Sequence, residues 1–278
     1  METFWLTGGA LVCFAANSIL CRLALDSGAL DPGTFTSVRL LAGALTLSLL
    51  RGKRPRPAGR VWISGLSLFA YAGCFSLAYA ETGAAAGALL LFAAVQVTMI
   101  AGGLVLGERV GAREWTGLLV ASCGVAYLVS PGVASPPPLS AFVMIAAGIA
   151  WGIYSLRGRG AADSLSMTAE SFAVAVPLSL ALSALTPRPS RVSLEGVGLA
   201  LASGALASGL GYVLWHRALK RLTATGAAGV QLLVPVLAAL GGWAFLSETP
   251  SRRLLVSSLV ILGGIGLTAI APSRERVA

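Results

Sequence analysis

This chain is poor in charge. Only 11% of its 278 residues are Asp, Glu, Lys or Arg, where a soluble domain carries about 25%. It has a single histidine, His216, and 11 acidic residues. One His leaves no room for a metal triad, and no Ser or Cys nucleophile has a base beside it. The four cysteines, Cys13, Cys21, Cys74 and Cys123, lack metal spacing and fall inside apolar runs, as expected of small, reduced, lipid-buried residues. No phosphate-cradling glycine loop is present, so nothing supports a nucleotide-driven pump or a bound cofactor. The excess of base, +9 overall, is broken into short clusters between apolar runs. That pattern follows the positive-inside rule and argues against nucleic acid as a partner.

What is abundant is apolar sequence, 56% of the chain. Ten segments can be cut out, at about 4–25, 33–50, 61–80, 83–106, 114–131, 138–157, 166–185, 194–216, 223–246 and 254–271. Each is long enough to cross roughly 30 Å of hydrocarbon as a helix. The expectation is an all-α integral membrane protein of ten transmembrane helices. METFWLTGGA has no basic leader, so the first run reads as a retained helix and not a cleaved signal. With the N-terminus inside, fourteen of the 20 basic residues fall on the cytoplasmic side, among them Arg51, Lys53, Arg54, Arg56, Arg60, Arg109, Arg274 and Arg276. Arg188, Arg191, Arg252 and Arg253 fall outside. Both termini are therefore expected in the cytoplasm.

The stretch from Gly87 to Pro131 returns 140 residues later. Gly102 falls on Gly242, Glu108 on Glu248, Arg113 on Arg253 and Gly124 on Gly264. Four matches at one offset argue for an internal duplication. The proline-rich PGVASPPPLS, Pro131 to Ser140, separates the halves, giving repeats at 1–132 and 133–278. Five helices per half is an odd number, so the second half inserts upside down. Inverted repeats are a mark of transporters, with the substrate near the midplane between the halves.

Gly107-Glu108-Arg109 with Arg113, Gly117 and Gly124 resembles the end of an EamA domain, and Ser247-Glu248-Thr249-Pro250 with Gly263-Gly264 resembles a second copy. Pro235, Phe14-Ala15-Ala16-Asn17-Ser18 and Arg39 fit the same pattern, while the first copy has Val95-Gln96 where the second has its proline. The resemblance covers nearly the whole chain. It implies the drug/metabolite transporter superfamily, with two inverted EamA repeats. Within it the chain is most similar to bacterial exporters of amino acids, of the aromatic amino-acid type, in the inner membrane.

Polar and aromatic residues inside the spans are the candidates for a substrate site. They are Asn17, Arg39, Tyr71, Tyr79, Gln96, Trp151, Tyr154, Tyr212 and Trp243. An amide in lipid needs a partner, which is either a neighbouring helix or a substrate. Arg39 either faces a cavity, where it can take a carboxylate, or snorkels to the headgroups; Arg22 is expected to snorkel. The aromatic residues either line a pocket or pack the core. Trp5, Trp62 and Trp115 read as interface anchors, and His216 as an interface residue. Glu170, Glu108 and Glu248 are candidates for coupling or gating; their plainer roles are a span end for Glu170 and helix caps for the other two. The expected function is export of small metabolites, chiefly amino acids, by facilitated diffusion through a monomer. The alternatives are a proton-coupled antiporter, with Glu170 as its acid, and a non-transporting sensor or scaffold.

Overall fold

A computed structural model describes residues 1–52, 61–108, 111–130, 135–185 and 192–269. Lys53, Arg54, Arg56, Arg60, Arg109, Arg188, Arg191, Arg274 and Arg276, on which much of the orientation argument rests, lie outside the described residues, as does the start of the proline-rich linker. The described residues form α1 (Glu2–Asp26), α2 (Pro32–Arg51), α3 (Val61–Tyr79), α4 (Ala84–Val105), α5 (Ala112–Val129), α6 (Pro138–Arg159) and α7 (Ser164–Leu185). There follow α8 (Leu194–Ala202), a π-helical segment (Ser203–Leu210), α9 (Gly211–Leu219), α10 (Ala224–Val230), α11 (Leu233–Leu246) and α12 (Arg252–Ala269). Among the described residues, eight helical runs are long and apolar enough to cross a membrane; α8 to α9 count as one and α10 to α11 as another. α5 and α12 stand in the fifth and tenth places, with 18 residues each.

Two spans are less regular than their hydropathy suggests. The ninth breaks at Gln231 and Leu232, where Leu232 N–H donates to Gly229 and Val234 N–H to Gln231. Pro235 explains the break: it has no N–H to return to the carbonyl of Gln231, four residues back. The eighth widens into the π segment. A Cβ on Gly204 would lie 2.1 Å from the Arg39 carbonyl, so α2 and this segment meet backbone to backbone, as small residues permit.

The packing repeats between the halves. α3 packs on α6 as α1 packs on α8 and α9. α4 packs on α6 as α1 packs on α11, and α3 on α7 as α2 on α8. The pairs α2–α7, α4–α11 and α5–α12 each join one element to its own counterpart. A Cβ on Gly124 would press Ile261, and one on Gly264 would press Ala121. Asp31 caps α2 through the N–H of Thr34, and Asp163 caps α7 through that of Leu165.

The repeated glutamates clasp the halves together. Glu108 accepts from Arg159 Nη1 at 2.6 Å and from the N–H of Ala224 at 3.2 Å. Glu248 accepts from Arg22 Nε at 3.2 Å and from the N–H of Ala84 at 2.8 Å. Each carboxylate thus caps the first residue of a helix in the other half and pairs with an arginine there. Ala84 opens α4 and Glu108 follows its end. A helix of 22 residues spans about 33 Å, so the clasps sit at opposite ends of the molecule. Gly103 takes the place facing Glu108 that Gly242 takes facing Glu248, and Gly102 meets Leu156 instead. The expected Gly102–Gly242 match is therefore off by one residue in space.

Candidate functional site

A buried polar network joins the two halves. Arg39, on α2, is fully buried. It does not snorkel, because its own neighbours supply its partners. Nε donates to Ser208 Oγ at 2.9 Å, and Nη2 donates to the Tyr212 hydroxyl at 2.6 Å and the Tyr71 hydroxyl at 3.4 Å. The guanidinium also lies over the rings of Tyr71 and Phe75, 5.4 and 5.0 Å from their centroids. All these partners are neutral. Burying an ion costs several kcal/mol, and hydrogen bonds and cation–π contacts offset only part of it.

Asn17 joins the same network from α1. Its Nδ2 donates to the Tyr71 hydroxyl at 3.3 Å, and Ser203 Oγ donates to its Oδ1 at 2.6 Å. The π segment therefore supplies two hydroxyls, Ser203 to Asn17 and Ser208 to Arg39. A π-helical insertion re-aims side chains in this way and is often found at functional sites.

An aromatic cluster adjoins the polar group. Trp151 of α6 stands 4.9 Å from Tyr71, 4.7 Å from Tyr212, 5.1 Å from Phe14 and 5.6 Å from Tyr154, centroid to centroid. Its indole N–H donates to Gln231 Oε1 at 2.9 Å, at the break in the ninth span. The rings fill the centre in the structure, so a ligand has to part them to enter.

Asn17, Arg39, Tyr71, Trp151, Tyr154 and Tyr212 are thus brought together. Tyr79 is buried elsewhere, where its hydroxyl donates to Ser18 Oγ at 3.1 Å and its carbonyl accepts from Arg22. Arg22 is held in the Glu248 clasp and does not snorkel. Gln96 is buried on α4 and lines a separate apolar cavity of about 460 Å³ between α4, α5 and α6. Trp243 is 65% exposed on α11 and faces outward; only the packing of α11 decides which side of that apolar helix is covered. Glu170 pairs with Arg51 at the end of α2. His216 is fully buried, against the interface place expected of it, with Nδ1 3.0 Å from Thr168 Oγ1 and its ring on Tyr154. Ser203, Ser208, Phe14 and Phe75 were not expected at the site, since nothing in their local sequence separates them from packing residues.

Comparisons agree with this architecture. The chain covers nearly all of a protein of uncharacterised function from Pseudomonas aeruginosa, 47% identical over 100% of this chain and 97% of the relative. An uncharacterised transporter of Archaeoglobus fulgidus is 27% identical over 96% of this chain and 97% of its own. A probable terminal-alkyne amino-acid exporter of Streptantibioticus cattleyicolor is 24% identical over 82% and 81%. A solved crystal structure superposes with a TM-score of 0.69 over 95% of this chain and 98% of its own, at 21% identity, and so shares the fold. The profile of the EamA-like transporter family matches residues 3–130 and 138–270. With both halves of the chain matched, this protein belongs to the EamA-like transporter family of the drug/metabolite transporter superfamily.

Proposed function

We propose that the chain exports small metabolites, amino acids foremost, by alternating access and facilitated diffusion. It does so as a monomer in the bacterial inner membrane, with both termini in the cytoplasm and no cofactor. The ten helices cross the bilayer as two inverted repeats, 1–132 and 133–278. Substrate sits between the halves, against Trp151, Tyr154, Tyr212 and Tyr71, with Asn17 and Arg39 holding its polar end. The observation that carries this reading is the buried polar and aromatic cluster built from both halves, with α1, α2 and α3 facing α6, α9 and the π segment. The distant relative named as an amino-acid exporter supports the substrate class.

Glu108 and Glu248 serve as the gates in this reading. Each ties the halves at one end, so opening one side of the membrane breaks one clasp and leaves the other closed. Glu170 is not needed: its ion pair with Arg51 leaves it outside the central network.

Proteoliposomes test the proposal. Saturable flux of labelled neutral amino acids should appear without a pH gradient. Trp151→Ala should reduce it at least tenfold, and Trp243→Ala by less than about twofold, as expected of a lipid-facing side chain. Flux only with a gradient would move the reading to proton coupling. No flux for any amino acid would end it.

A further inference from the structure

The hydrogen bonds around Arg39 are short of acceptors. Nη1 is buried and has no partner among the described residues. The two phenolic oxygens beside it, of Tyr71 and Tyr212, both receive protons from the guanidinium. Neither phenol gives its own proton to a carbonyl or a carboxylate in any hydrogen bond found for it. One phenol can donate to the other, so at least one O–H remains over in addition to Nη1. No Asp or Glu forms an ion pair with Arg39 among the described residues; the glutamates are spent at the rims, Glu108 on Arg159, Glu248 on Arg22 and Glu170 on Arg51.

A site with surplus donors and an uncompensated positive charge is complementary to a group that only accepts. An ionised carboxylate is such a group: it has two oxygens, no donor, and a negative charge that pairs with a guanidinium. Among the described residues no carboxylate is bonded to the cluster, so an ammonium meets ring faces only and no counter-charge. What the aromatic rings offer a substrate beyond its acid group is an apolar or π surface.

From this donor surplus we infer that the central site recognises organic monocarboxylates, with the carboxylate on Arg39 Nη1 and the phenolic O–H of Tyr71 or Tyr212, and that the amino group of an amino acid is dispensable. The inference rests on the proposal that this cluster is the substrate site. It narrows that reading, because it ranks acids lacking an amino group with amino acids and ranks amines below both.

Binding separates the two ideas, because it needs no flux. The full chain, purified in detergent, is melted with 3-phenylpropionate, L-phenylalanine or phenethylamine at equal concentrations. The two acids should raise Tm and the amine should not. Tyr71→Phe and Tyr212→Phe each keep the ring and remove one donor; one of the two should weaken acid binding about tenfold, the worth of about one hydrogen bond to a charge. Arg39→Gln should abolish the acid response, and Arg39→Lys should restore part of it. Equal shifts with amine and acid would overturn the inference, and so would an acid response unchanged in both phenylalanine variants or no response to either acid. Acid binding without flux would support the carboxylate site and count against transport. Flux that ignores both Arg39 and the acid group would do the reverse.

Discussion

At one end of α4, Glu248 holds the N–H of Ala84 and the side chain of Arg22; past the other end, Glu108 holds the N–H of Ala224 and the side chain of Arg159. These two regions are near copies. The middle of the molecule is not. Aligning the caps Asp31 and Asp163 places Arg39 on Ser171, which carries no charge and returns its hydroxyl to the Met167 carbonyl. The backbone approaches are related as well: a Cβ on Gly204 would meet the Arg39 carbonyl and one on Gly65 the Ser171 carbonyl, at 2.1 and 3.2 Å. The closer approach comes with the π segment, which α3 lacks. Duplication has kept the parts that join the halves and let the centre diverge. That is the pattern expected where a symmetric scaffold carries one asymmetric ligand.

The sharpest way to break this comparison is to make the middle symmetric. Arg39→Ser should cut amino-acid flux by at least about 30-fold, since losing one partner of a buried, hydrogen-bonded charge network costs about 2 kcal/mol or more. Ser171→Ala should change it by less than about twofold. Similar losses at both positions would mean that the centre works as a symmetric pair.

Gly204 tests the next largest effect. Ala there must displace backbone, which cannot swing aside as a side chain can, and should destabilise the protein by about 1–3 kcal/mol. Gly198, in the same span, has open space around its Cβ position, and Gly198→Ala should be neutral or slightly stabilising. Thermal melts of the two variants report the difference. Equal melts would show that the α2 contact is not a constraint on the span.

The clasps should behave alike. Glu108→Gln and Glu248→Gln each remove a half-buried ion pair, and each should cost about 1 kcal/mol of stability. Their effects on access should be opposite, each opening one side of the membrane to a cysteine reagent. If both variants open the same side, the two turns do not lie at opposite faces.

Much of the fold was legible because lipid leaves little choice. Long apolar runs must be helices, and their ends fell within a few residues of the observed ones. The break at Gln231 was not legible, since 223–246 reads as one span, although Pro235 accounts for the break once it is seen. Nor was the π segment, because it accompanies a tertiary contact between Gly204 and the Arg39 backbone and not a local propensity. Arg39 counted from the start of its span sits near a membrane edge, and only Ser208 and Tyr212, some 170 residues on, show that it is enclosed. Trp151 and Trp243 look equally deep in the sequence. In lipid both sides of a helix are apolar, so the periodicity that separates core from surface in soluble proteins carries little information.

The turn before each glutamate offers the smallest and cleanest contrast. Gly107 and Ser247 occupy the same place in the two repeats, and both have left-handed backbones, with φ of 85° and 54°. Gly adopts that conformation without steric cost, whereas Ser carries a Cβ against the following carbonyl, at about 1 kcal/mol. Ser247→Gly should therefore raise Tm slightly, and Gly107→Ser should lower it by a similar amount. The two shifts should add in the double variant, because the turns lie at opposite ends of α4 and share no partner. A Ser247→Gly variant that melts lower would mean that the serine hydroxyl contributes more to the second turn than its backbone costs, and that the clasps differ in their construction although they hold the same groups.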